Sequence, residues 1–112
     1  AVRAERLDHE RRDREQKDRE RRRKELFIAQ EKEKERLARL DREVASWHKA
    51  QEIRAYVETV RGLGLKKHGR IDPGSEMDQW IKWAMDQADR YDPLVKSPPS
   101  VLDEQLPSPY GY

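Results

Sequence analysis

The 112-residue sequence contains no cysteine. Disulfides, thiolate zinc sites and iron–sulfur ligation are thereby excluded. No apolar run reaches the length of a signal peptide or a membrane span, so no membrane partner is expected and a soluble, cytoplasmic setting is the default. Apolar residues are only 34% of the chain against 43% charged, which is too little for a large core. Aromatics are few, and five of the eight, including all three tryptophans, lie between Trp47 and Tyr91. One small core of about 45 residues is expected there, a size that usually needs a partner. Histidine is scarce too: His9, His48 and His68 lie far apart along one helix and its turn, and cannot converge on a metal ion within one chain.

What the chain has in abundance is charge, nearly balanced at a net +2 but unevenly placed. Residues 1–70 hold 22 basic and 15 acidic groups, a net of +7; residues 71–112 hold 3 and 8, a net of −5. Each half is suited to a different partner, or to the other half. The chain opens AVRAER, without methionine and already in helical register, so the expectation is the C-terminal part of a longer protein.

Residues 8–25, DHERRDREQKDRERRRKE, include sixteen charged side chains and no apolar one. Every acid from Asp8 to Glu20 has a base four residues on: Asp8–Arg12, Glu10–Arg14, Asp13–Lys17, Glu15–Arg19, Asp18–Arg22 and Glu20–Lys24. Acid before base at this spacing supports a helix by roughly 0.2–0.5 kcal/mol per pair. No glycine, proline or β-branched residue interrupts the run. A solvated single α-helix over residues 1–36 follows. Composition alone would equally suit a disordered tail, but would leave the pairing unexplained. The run Arg21 to Lys24 suggests a nucleic-acid contact, yet interleaved acids cancel most of its field and no aromatic is at hand to stack a base.

After the island Leu26-Phe27-Ile28-Ala29, apolar residues recur every three or four positions at Leu37, Leu40, Val44, Trp47, Ala50, Ile53, Val57 and Val60. The stripe is too short and irregular for a regular coiled-coil seam, and fits a helix docked on another helix. Gly62 and Gly64 are expected to end it near Arg61, giving about 60 helical residues, or about 90 Å. A turn over 62–74 holds Asp72-Pro73-Gly74, and Ser75 with Asp78 resembles a capping box. The second helix, 75–92, sets Met77, Trp80, Ile81, Ala84, Ala88 and Tyr91 on one stripe and stops at Pro93. At about 17 residues it must pack to persist. The resulting fold is all-α: a long solvated charged helix running into an antiparallel hairpin (37–92, first helix 37–61), with a disordered proline-rich tail over 93–112. Its expected core is Leu40, Val44, Trp47, Ile53, Tyr56, Val57, Val60, Trp80, Ile81, Ala84, Ala88 and Tyr91. In the tail, Tyr110 and Tyr112 are possible anchors for docking in an aromatic groove.

No constellation carries catalysis. Gly64 to Gly69 has the spacing of a phosphate loop, but Arg70-Ile71 replaces the lysine-hydroxyl pair and a helix precedes it. Asp86, Asp89 and Asp92 oppose the dipole of the second helix, so a cation from His48, Lys49 or Arg54 is expected to join them in an interhelical link. No nucleophile or base accompanies them. No cofactor and no small-molecule substrate is expected. The candidate partner surface is Trp83, which sits beside the stripe, together with the basic turn Lys66, Lys67, His68 and Arg70.

Trp47-x-x-Ala50-x-x-Ile53-Arg54-Ala55-Tyr56, with Trp80-x-x-Trp83-Ala84 leading to Ala88-Asp89-Arg90-Tyr91-Asp92-Pro93-Leu94, resembles the C-terminal region of a set of uncharacterised bacterial proteins, in which a charged helix likewise precedes a tryptophan-containing hairpin. The similarity covers roughly residues 1–94 and implies the architecture, with no activity. The expectation is a non-enzymatic interaction module: a rigid helical spacer ending in a hairpin that docks a protein partner or another copy. The alternative is a nucleic-acid-associated module using the basic N-terminal half and the Lys66–Arg70 turn.

A peptide of residues 1–36 is expected to be monomeric and largely helical by circular dichroism at neutral pH and low salt. Acidification below about pH 3 should lower its helicity by protonating the acids. A coil spectrum at neutral pH would rule out the single-helix reading.

Overall fold

The structure, a computed structural model, describes residues 2–111. The chain is all-helical: α1 (Val2–His68), α2 (Glu76–Tyr91) and a single 3-10 turn, Val101–Asp103, with no strand among the described residues. No described helix is long and apolar enough to cross a membrane. The chain divides into two compact units, Ala1–Asp41 and Arg42–Tyr112.

In the first unit every described residue except Ala38 is exposed, including Leu26, Phe27, Ile28, Leu37 and Leu40. Leu40, expected in the core, has no second helix in its unit to pack on. The helix is charge-paired, but with different partners from those the spacing suggests. Asp8 meets Arg11 and Asp18 meets Arg21 at i,i+3, while Arg6–Glu10 and Arg21–Glu25 run base first. Each acid has bases within reach on both sides. Pairs this exposed, worth a fraction of a kcal/mol each, have little to select one partner over another.

The second unit is built by the docking of α2 on α1. Ser75 caps α2, its Oγ accepting from Asp78 N (3.2 Å), and the Asp78 carboxylate reaches back to accept from Gly74 N (2.9 Å). Asp92 closes the other end, its N–H donating to Ala88 O. The two predicted terminal residues of this helix, Ser75 and Asp92, are thus its caps. Contacts pair Gly64 with Met77, Tyr56 with Trp80, and Arg54 with Asp89 and Asp92. As α1 is followed backwards α2 runs forwards, so the helices are antiparallel.

α1 continues seven residues beyond the expected stop. Gly64 lies inside the helix and is buried, because a Cβ there would stand 2.6 Å from Met77 Sδ. Its role is close approach of the helices. The left-handed residue that ends α1 is Gly69, at φ 76°, with its N–H on Leu65 O (2.7 Å).

Val57, Ile81 and Ala84 form the core, with Ile53, Ile71, Met77, Trp80 and Met85 packed around them, and Ala50 and Ala88 fully buried. Of the other expected core residues, Ile53, Val60 and Trp80 are half-buried. Val44, Trp47, Tyr56 and Tyr91 are exposed. The reason is length and angle. Sixteen residues of α2 span about 24 Å and cover α1 only over a similar stretch, leaving Val44 and Trp47 beyond its end. Tyr56 precedes the fully buried Val57 by one residue, and the resulting 100° turn puts it at the edge of the contact.

The chain after α2, expected to be a loose tail, is tied back as far as Asp103. Arg90 donates to Pro98 O (2.9 Å) and to both oxygens of Asp103 (3.0 and 2.9 Å). Tyr112, an expected tail anchor, lies outside the described residues.

Two glycines test the extended helix. Gly62 is helical with open space around its Cα, so Gly62→Ala should stabilise the fold by about 0.5–1 kcal/mol in denaturant titration. Gly69→Ala should destabilise it by about 1–2 kcal/mol, because its left-handed conformation disfavours a Cβ. Equal losses from both changes would place the helix end at Gly62 instead.

Candidate interaction site

The site rests on one interhelical link. Arg54 projects from α1 and donates through Nη2 to Asp89 Oδ1 (3.0 Å) and through Nη1 to Asp92 Oδ2 (2.8 Å). Of the three cations expected to serve here, Arg54 alone is on the aspartates; His48 pairs instead with Glu52 (3.2 Å) along α1. Gln51, with its amide oxygen turned inward, accepts from Arg54 Nη1 (3.0 Å) and from Trp47 Nε1 (3.2 Å). Trp47 is therefore a brace on this network and not a core residue.

Asp92 is only 5% exposed, the one buried charged residue in the described chain. Its Oδ1 accepts from Leu94 N (2.9 Å) while Oδ2 takes Arg54. The Leu94 amide and then the guanidinium hold its carboxyl below the ordinary value of 3.8. Arg54 is correspondingly held above its own ordinary value, by Asp89 first and then Asp92. Arg90, from which the tail hangs, likewise depresses Asp103, with help from Ser100 N. In each case the charge is fixed by hydrogen bonds between neighbouring groups.

With the helices so locked, a groove opens along one side of their contact, lined by Ile53, Tyr56, Trp80, Trp83, Gln87 and Tyr91, with Lys49 and Glu52 beside them. Trp83 is 58% exposed, Tyr56 62% and Tyr91 48%. The Tyr56 and Trp80 rings meet edge to face, 6.2 Å between centroids and 74° between planes, and both also line a second depression with Val60, Glu76 and Met77. They form an aromatic ridge that α2 leaves open to solvent.

Trp83 is thus where the sequence places it, beside the stripe and open to solvent. The turn expected to join it is elsewhere. His68 and Arg70 line a separate depression with Ile71, Asp72, Ser75 and Glu76. Arg70 is held by Asp72 at 2.6 Å, and Lys66, Lys67 and His68 form the last turn of α1, where cations complement the helix dipole. Sequence reasoning missed Tyr56 and Tyr91 as groove residues; a helical projection centred on Val57 already turns Tyr56 aside. No group of three potential metal ligands occurs among the described residues. Comparison with protein-family models, curated proteins and solved structures finds no match to this chain.

Acid should weaken the fold. The folded pKa values of Asp78, Asp92 and Asp103 lie below the ordinary carboxylate value, so the unfolded chain binds more protons as pH falls through that range. Stability should hold from neutrality to about pH 5 and then be lost progressively on further acidification. Asp92→Asn should lower the melting temperature at pH 7 and reduce its fall by pH 3. A parent chain melting equally well at both pH values would show that these carboxylates do not hold the fold.

Proposed function

We propose that this chain is a non-enzymatic interaction module, a charged helical spacer carrying a hairpin head whose aromatic groove takes up a segment of a protein partner. One observation carries the reading: Tyr56, Trp83 and Tyr91 stand about half exposed around a single groove of a very small unit. Aromatics on this scale bury about 150–250 Å² each when covered, and clustered exposed apolar surface marks an interaction site more often than an idle one. A cytoplasmic setting belongs to the same reading. The nucleic-acid alternative has less support, since the basic residues of the turn face a helix terminus or an aspartate and those of the first unit are interleaved with acids.

The test is selection of short peptides from a display library on the full chain. Peptides that bind the groove should lose about 30-fold or more in affinity with Trp83→Ser, the scale of an aromatic hot spot, while the melting temperature stays within about 2 °C. Selected peptides indifferent to Trp83 would overturn the assignment of the groove. Binding of a generic DNA duplex with a steep loss of affinity in rising salt would favour the nucleic-acid reading instead.

A further inference from the structure

We propose that the occupant of the groove is a second copy of this chain: the helical face Glu20, Arg23, Lys24, Phe27 and Ile28 of one copy docks in the aromatic groove of another. The inference rests on the groove being a docking face.

Each unit leaves apolar surface open on α1. In the second unit it is the groove, whose α1 wall is Lys49, Glu52, Ile53, Tyr56 and Val57. In the first unit a depression lies beside Phe27 and Ile28, lined also by Glu20, Arg23 and Lys24. Phe27 and Ile28 are both more than half exposed. The two sets of residues share one spacing, i, i+3, i+4, i+7 and i+8, which is a single face of a helix.

Charge fits the two faces together and sets their direction. With the helices side by side and pointing the same way, Glu20 of one copy meets Lys49 of the other, Arg23 and Lys24 flank Glu52, and Phe27 comes to Tyr56. With Phe27 still at Tyr56 but the direction reversed, Glu31 would meet Glu52 and Lys34 would meet Lys49, like charges both times. The docked helix therefore runs parallel to α1 and antiparallel to α2, where Trp80 and Trp83 offer Phe27 further aromatic surface. Glu20 also accepts from Gln16 (3.5 Å) and Glu52 meets His48 (3.2 Å), but both contacts lie exposed along their own helix and yield at little cost.

Phe27 and Ile28 seated on these aromatics make a contact below about 1,200 Å², the range of weak and transient interfaces. The two faces are different surfaces, so every contact leaves a free groove on one copy and a free Phe27 face on the other. Association is heterologous and open-ended.

Sedimentation velocity on the full chain tests this. The average mass of the parent should rise above that of the monomer between about 10 and 500 μM. Phe27→Gln with Ile28→Gln, and separately Trp83→Ser, should each weaken association about tenfold or more, with helix content unchanged because all three side chains are exposed. Mixed together, the two variants should form a one-to-one dimer and nothing larger, since only one intact face and one intact groove remain to meet. Arg23→Glu with Lys24→Glu should weaken association severalfold, and adding Glu52→Lys should restore it. A parent that stays monomeric overturns the inference. So does a mixture that stays monomeric, association that survives either apolar change, or charge reversal without rescue. The groove is judged separately: library-selected peptides that still need Trp83 leave it standing when self-association fails, and peptides indifferent to Trp83 refute it.

Discussion

The second unit depends on a single guanidinium. Arg54 holds both aspartates at the end of α2 and lies against Asp92, whose 5% exposure makes it the most demanding polar group in the structure. A buried ion pair is seldom a net source of stability, because desolvation offsets most of the attraction. Its value here is positional. Without a cation, Asp89 and Asp92 would stand at a helix C-terminus against the dipole, with nothing to choose one alignment of α2 over another. With it, the fork fixes both the register and the rotation of α2, and from these follows which side chains face α1 and which face the groove.

That constraint matters because the apolar contribution is small. Among the described residues, the only side chain larger than alanine that is fully buried is Val57, and the helices approach closely through Gly64, Ala50, Ala84 and Ala88. Small residues bring backbones together but bury little area. A helix of sixteen residues has no independent stability in water, so α2 persists by packing, capping and the Arg54 link acting together. The same narrow contact leaves the aromatics at its edge. Trp83, Tyr56 and Tyr91 cannot turn inward, because alanines and a valine already occupy the space between the helices.

How much of this the sequence discloses depends on the range of the signal. Helix type, the Ser75 cap, the stop at Asp92-Pro93 and the need for a cation from α1 on the aspartates are local or nearly local, set by periodicity and by charges that need a counterpart; that Arg54, and not His48 or Lys49, supplies it is settled by the register of the helices. Gly62 and Gly64 were expected to end α1 because glycine after an apolar stripe usually marks a cap. Gly64 instead answers a tertiary demand, the close passage of Met77, which no local pattern encodes. The core is smaller than the apolar stripe suggests for a related reason. An apolar stripe reports which side of a helix tends to be covered, but not how far the covering element extends, so Leu40, Val44 and Trp47 belong to the stripe and yet stay exposed. Tyr56 fell to angle, and the tail to Arg90, a surface residue whose partner lies thirteen positions ahead with no periodicity to betray it.

The two units answer different physical demands. In the first, opposite charges alternate so closely that the field of any one base is largely cancelled within a turn, and at physiological salt little of it extends beyond about 8 Å. Such a surface offers a partner no extended field of one sign, and its apolar feature is the shallow depression beside Phe27 and Ile28, lined also by Glu20, Arg23 and Lys24. In the second, the charged groups are mostly spent on one another, Arg54 on Asp89 and Asp92, Arg70 on Asp72, Lys82 on Asp78 and Arg90 on Asp103. The groove itself is mainly apolar and aromatic, with Lys49 and Glu52 at its margin. The interaction module proposed above would then draw its specificity from the shape of the groove and from where its few polar groups stand, with an affinity that depends only weakly on salt.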